Sequence, residues 1–182
     1  MRVFIAVEVS EEIKAELSIV QQAVRADASA GKFTSTENFH LTIHFIGEVN
    51  QEECVRIKGA MDKSAMKPVP FQLILSELGS FKKKSREIIW VGVSGNLEAL
   101  YQLNKEVLNN LGNDELIDTT NNYVPHLTLG RQIQLTTPFE VLKEKLVVPE
   151  AVIPVESISL MESKRVNGQL VYEPIYRVRL SE

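Results

Sequence analysis

The order of elements along the chain predicts an α+β fold built mainly from antiparallel sheet. Three observations carry this. Strand and helix patterns follow one another in mixed order. Several strand patterns are joined by short turn signals. The tripeptide His-Leu-Thr occurs twice, each time opening a strand that leads through a turn into a capped helix. At 182 residues the chain suits one domain, 1–182, or two small lobes sharing a core.

Arg2 to Val9 alternates and is rich in β-branched residues, so it reads as a strand. Ser10 caps a helix whose apolar positions Ile13, Leu17, Val20 and Val24 share one face. Phe33 falls in a short extended piece before a turn at Thr36 to Asn38, and "HLTIHFIGEV" follows as a strand ending near Gly47. Asn50 with Glu53 makes a capping box for a helix from Gln51 to about Ala65. Pro68 and Pro70 end it, and "FQLILSELGSF" and "EIIWVGV" form an antiparallel pair across a lysine-rich loop. Asn96 opens a helix through Leu111 with Leu97, Leu100, Leu103 and Val107 on one stripe and Gly112 as its C-terminal cap. A polar loop leads into the second histidine strand, "HLTLGRQI". Thr137, Pro138 and Glu140 read as cap, first helical residue and capping-box acid of another helix. Strands at about Ser157 to Ser163 and Leu170 to Leu180, joined through Asn167-Gly168, close the chain as a hairpin.

Composition narrows the function. Cys54 is the only cysteine, so an internal disulfide is impossible and a reducing, cytoplasmic setting is expected. No apolar run is long enough to span a membrane, and the acidic stretch after "MRVFIAVEV" does not suit a signal peptide. A formal net charge of −4 argues against an extended nucleic-acid surface but not against a local pocket for a nucleotide or an RNA end. The basic runs "FKKKSR" and "SKRVNG" read as solvated loops.

The three histidines carry the chemistry. On a strand, alternate side chains share a face, so His40, Thr42 and His44 point one way while Leu41, Ile43 and Phe45 pack into a core. His126 and Thr128 repeat the arrangement against Leu127 and Leu129. One histidine on a half-buried strand is usually structural; two at equivalent places in a repeat shift the balance to catalysis. If the halves are related by a rough two-fold axis, two imidazoles and two hydroxyls converge. That set suits displacement at phosphorus, with one imidazole as base, one imidazolium as acid, and hydroxyls donating to the phosphoryl oxygens. Arg131 adds a charge-assisted contact, provided the strand twists or ends near Gly130. His44 fits either a structural role or the groove wall. A histidine metal site is not expected, because four residues along a strand separate His40 from His44 by roughly 13 Å.

These residues resemble the two-histidine (2H) phosphoesterases, whose signature is a pair of His-x-Thr/Ser-x motifs, here His40–Ile43 and His126–Leu129. Among them the chain is similar to the RNA 2′,3′-cyclic phosphodiesterases, also called 2′–5′ RNA ligases, in "RVFIAVEV", "ENFHLTIHFIGEV", "PHLTLGR" and "ISLMESKRVNGQLVYEPIY". The resemblance implies two pseudo-symmetric lobes with helices outside, facing a central groove. It implies metal-independent opening of an RNA-terminal 2′,3′-cyclic phosphate to a 2′-phosphomonoester, without a cofactor. His40 would donate a proton to the leaving oxygen and His126 would activate water, while Thr42, Thr128 and Arg131 match phosphate-contacting positions. Phe33 stands where a tryptophan is common and His44 where a lysine is; with Tyr123 they are candidates for substrate contacts. The expected partners are RNA ends or nucleotides bearing the cyclic phosphate, with no membrane and no metal; a monomer is the expectation. Ligation in reverse is secondary because water competes with the ribose hydroxyl. The competing readings are a phosphodiesterase for a small cyclic nucleotide and a non-catalytic module that binds RNA ends.

Overall fold

In the computed structural model, which describes residues 1–112 and 122–181, the strands sort into two antiparallel sheets. One has the order β3-β1-β8-β9, from β3 (His40–Glu48), β1 (Arg2–Glu8), β8 (Ser157–Val166) and β9 (Gln169–Arg179). The other has the order β2-β6-β5-β4-β7, from β2 (Ala28–Phe33), β6 (His126–Leu135), β5 (Arg86–Gly95), β4 (Phe71–Lys83) and β7 (Val152–Val155). The helices are α1 (Glu11–Ala26), α2 (Gln51–Ser64), α3 (Leu97–Leu111) and α4 (Phe139–Lys145). The polar loop expected after Gly112 lies outside the described residues. No helix among the described residues is long and apolar enough to cross a membrane.

The topology carries the repeat. The order β1-α1-β3-α2-β4 recurs as β5-α3-β6-α4-β8, and in each unit the first strand pairs antiparallel with the histidine strand. The last strand of each unit crosses over: β4 pairs with β5 of the second unit and β8 with β1 of the first. β2 and β7 are additions at the margins of the second sheet. The two sheets approach each other along β3 and β6, which brings the strands that begin with histidine side by side.

Local chemistry fixes the helix starts. Ser10 accepts the Ile13 amide at 3.2 Å, and Asn50 and Glu53 complete a reciprocal capping box. Asn96 caps α3 through the Ala99 amide at 3.1 Å, and Gly112 ends it at φ 74°. Ile13, Leu17, Val20 and Val24 bury one face of α1 against the core. That core is continuous between the sheets and includes Leu41 and Ile43 of β3 together with Leu127 and Leu129 of β6. A second, smaller cluster of Phe4, Ala6 and Met161, flanked by Tyr172, lies on the opposite face of β1.

Four expectations are corrected. α4 begins at Phe139, one residue late, because Pro138 is extended at ψ 143° and therefore caps the helix itself; the Thr137 hydroxyl makes no cap. Phe45 does not enter the core. A register shift between β1 and β3 sets Phe45 opposite Phe4, turns it outward and leaves it 50% exposed, and it sets His44 opposite Ile5, off the face that His40 and Thr42 share. β7 was not expected, being four residues interrupted by Pro154. The closing hairpin has its turn at Asn167 and Gly168, at φ 52° and 80°, and pairing runs up to it from Ser157.

The seat of Trp90 depends on a glycine. A Cβ on Gly79 would lie 2.2 Å from the indole Cη2 and 2.4 Å from Cζ2 and Cζ3. Gly79→Ala is expected to cost about 1–3 kcal/mol, the usual cost of overpacking, in urea denaturation. It should also shift the emission of Trp90, the chain's one tryptophan. An unchanged midpoint with unchanged emission would show that the ring has room to move.

Candidate active site

Both repeated histidines are held the same way. Each is the first residue of its strand, and each turns its ring back onto a carbonyl two residues upstream: Nδ1 of His40 lies 2.7 Å from the Asn38 oxygen, and Nδ1 of His126 lies 2.6 Å from the Val124 oxygen. A carbonyl only accepts, so Nδ1 carries the proton in both rings and Nε2 is left available to take up a proton. The Thr42 hydroxyl stands 2.9 Å from Nε2 of His40 and donates to it while the imidazole is neutral. Nε2 of His126 has no hydrogen-bond partner among the described residues.

Aromatic pairs wall in each ring. Phe4 lies 4.8 Å and Tyr172 5.2 Å from the His40 centroid; Phe81 lies 5.1 Å and Trp90 5.5 Å from that of His126. The consequence is electrostatic. Desolvation pushes the pKa of His40 down to about 4, against the Asn38 hydrogen bond, and positive charge on Arg131 and His126 lowers it further. Burial lowers His126 as well, opposed by Val124 and assisted by Arg131. Arg131 therefore acts on both imidazoles, which are near enough to repel each other when charged.

Arg131 reaches the site through a bulge. β6 alternates regularly from His126 to Leu129, then Gly130 is buried and Arg131 and Gln132 are both exposed, with Gln132 at φ 52°. The β5–β6 register slips around Gly130. A Cβ there would meet Ile133 Cδ1 at 2.8 Å and the Lys32 carbonyl at 3.1 Å, so glycine permits the close approach of β2.

Two hollows open from the histidines. One, of about 560 Å³, is lined by His40, Arg131, Phe4 and Tyr172 among others. The second, of about 370 Å³, is lined by His126, Thr42, His44 and Tyr123, and Phe45 borders both. Thr128 sits two residues beyond His126 on the same face, opposite Trp90. Burial lowers the pKa of His44 and raises that of Tyr123, whose hydroxyl donates to the Thr42 carbonyl at 2.7 Å. Phe33 lines neither hollow; it packs against Gly130 with the Arg25 guanidinium 4.3 Å over its ring. Among the described residues no three His, Cys, Asp or Glu side chains converge as a metal-binding set.

Sequence reasoning missed Asn38. It is buried, donates through Nδ2 to the Leu170 carbonyl at 2.8 Å and accepts the Tyr172 amide at 3.1 Å. Its side chain thus ties the carbonyl that anchors His40 to the strand that supplies Tyr172. Its place two residues before the motif histidine was the available signal.

Comparison with known proteins identifies relatives in sequence and in fold. A family model described as LigT like phosphoesterase matches residues 7–90. The chain is similar to the RNA 2′,3′-cyclic phosphodiesterase of Methanocaldococcus jannaschii, at 33% identity over 72% of this chain and 71% of that one. It is also similar to the RNA 2′,3′-cyclic phosphodiesterase of Thermotoga maritima, at 28% identity over 97% of this chain and 94% of the other. Escherichia coli LigT complexed with 3′-AMP shares the fold, with a TM-score of 0.78 at 22% identity over 100% of this chain and 98% of that one.

The buried imidazole makes stability depend on pH. His40 takes a proton near 6.5 when unfolded but only at about 4 when folded. Protons therefore favour the unfolded chain through that window, and the melting temperature should fall as pH drops through it. In His40→Gln the fall should be shallower. Parallel melting curves for the two proteins would show that His40 protonates normally in the native state.

Proposed function

The chain belongs to the LigT-like phosphoesterase family, and from that premise we propose that it opens the 2′,3′-cyclic phosphate at an RNA end to a 2′-phosphomonoester. The observation that carries this is the paired anchoring: two histidines from facing sheets, each with Nδ1 committed to a backbone carbonyl and Nε2 left for chemistry. Each half contributes one, so the two halves act as one catalytic unit.

Nε2 of His126, without a partner among the described residues, takes a proton from water as the water oxygen bonds to phosphorus. The bond from phosphorus to O3′ breaks, and His40 gives its Nε2 proton to the departing O3′. Arg131 and the hydroxyls of Thr42 and Thr128 donate to the non-bridging oxygens, which hold the growing charge. No metal is required, because the imidazole pair supplies both proton transfers and Arg131 supplies the positive charge.

The low pKa of His40 assigns a role to the substrate. An acid held down to about 4 is empty of its proton near neutrality. A phosphate anion between His40 and Arg131 offsets the positive field and stabilises the imidazolium. Protonation of Nε2 also ends its acceptance of the Thr42 hydroxyl, freeing that hydroxyl to donate to phosphate. The substrate thus loads the acid and releases the threonine together.

A short RNA ending in a 2′,3′-cyclic phosphate, incubated in excess EDTA and followed by phosphorus NMR, should convert to the 2′-phosphate. His40→Ala and His126→Ala should each slow this by about 10²–10⁴-fold, the usual worth of a positioned acid or base. Loss at only one histidine would break the paired assignment, and arrest by EDTA would break the metal-free one.

The pH profile tests the loading of the acid separately. Both limbs of the kcat/KM bell, which reports the free enzyme, should lie below the ordinary imidazole value because both pKa values are lowered. The kcat bell, which reports the complex, should move towards neutrality. Coincident profiles would mean that phosphate does not raise His40.

A further inference from the structure

The hollow on the His40 side holds more positive charge than the displacement uses. Arg2 and Arg165 line it beside Arg131, with Phe45, Ser163 and Tyr172, and no carboxylate lines it. Among the described residues none of these three arginines forms an ion pair, whereas Arg177, on the same sheet, is clamped by Glu8. In a chain with 24 acidic and 20 basic residues, three guanidinium groups around one hollow, none of them ion-paired among the described residues, make a local positive patch suited to an anion.

The two extra arginines are already oriented. Arg2 lies opposite Ser163 in the β1–β8 register, and Arg165 follows two residues along β8 on the same face. The Arg2 guanidinium is stacked 5.0 Å over the ring of Phe45, and Arg165 is held to the Gly168 carbonyl at 3.1 Å within the hairpin turn. Phe45 borders both hollows, so Arg2 stands where the two meet. A terminal cyclic phosphate between His40 and Arg131 leaves the next phosphate of the strand one ribose away, towards the 5′ side. Unpaired arginines beside an exposed aromatic ring are the groups that hold single-stranded nucleic acid.

We propose that Arg2 and Arg165 bind the phosphate on the 5′ oxygen of the terminal nucleotide, making the enzyme selective for an RNA end over a free cyclic nucleoside. This rests on the phosphodiesterase reading above and names the part of the substrate that reading leaves open. The site recognises the phosphate itself, so a 5′-monophosphate and an internucleotide phosphodiester both gain.

The test compares kcat/KM on adenosine 2′,3′-cyclic phosphate, on the same compound with a 5′-phosphate, and on a dinucleotide with the same end. Wild type should favour the second and third by about tenfold or more, the worth of about 1.4 kcal/mol. Arg2→Gln and Arg165→Gln should each remove most of that preference through KM, with kcat kept. Their loss should be confined to the two phosphate-bearing probes. The salt dependence of log kcat/KM on the dinucleotide should become shallower with each arginine removed, through loss of screened charge attraction. Equal wild-type rates on all three probes would overturn the proposal, as would equal losses on all three in the variants. A preference confined to the dinucleotide and untouched by either substitution would assign it to the upstream base and overturn the arginine site. No turnover of any probe by the wild type would instead overturn the phosphodiesterase reading, and the proposal with it.

Discussion

The hydrogen bond from each histidine Nδ1 to the carbonyl two residues upstream is the constraint on which the site depends. It fixes the tautomer, aims Nε2 and ties the reactive ring to the residue where its strand begins. The two anchors are also joined to each other. Val124, which holds His126, follows Tyr123, whose hydroxyl binds the Thr42 carbonyl on the His40 strand. Asn38, which holds His40, is bonded through its side chain to β9. A shift of either strand start therefore moves both rings, and the spacing between the two imidazoles is set by backbone rather than by flexible side chains.

The two halves share a plan and differ in what that plan delivers to the groove. Five residues after each motif histidine a strand irregularity turns the side chain into the groove: Phe45 in the first half, Arg131 in the second. The same backbone device delivers an aromatic surface on one wall and a positive charge on the other. A pseudo-symmetric pair cannot distinguish the ends of an asymmetric substrate. This difference supplies the asymmetry, and His44 against Gly130, four residues after each histidine, adds to it.

What the sequence made legible was whatever obeys a period. Alternation gave the shared face of His40 and Thr42 and the buried partners Leu41 and Ile43; the 3.6-residue stripe gave the buried face of α1. Bulges break the period, and so Phe45 was assigned to the core and Arg131 could be brought to the site only conditionally. The start of α4 was displaced because Thr-Pro has two solutions, with proline inside the helix or capping it, and ψ at Pro138 chose the second. Asn38 and Arg165 act through contacts with chain remote in sequence, which no local pattern encodes.

The electrostatics of the groove depend on a residue outside it. Glu8 stands directly across from His40 in the β1–β3 register, where a free carboxylate would stabilise the imidazolium and weaken the pull of the site on an incoming anion. It is not free. Arg177 grips both its oxygens at 2.6 and 2.8 Å, and Ser159 donates to one of them at 2.6 Å. These bonds hold its carboxyl below the usual range despite partial burial. A desolvated imidazole beside an uncommitted carboxylate would rest as a protonated pair, with the charge of each spent on the other. Tying Glu8 to Arg177 leaves the aromatic rings and Arg131 to set the state of His40. The resting site stays neutral at His40 and positive at its rim, the condition under which the proposed reaction loads its acid only when a phosphate arrives.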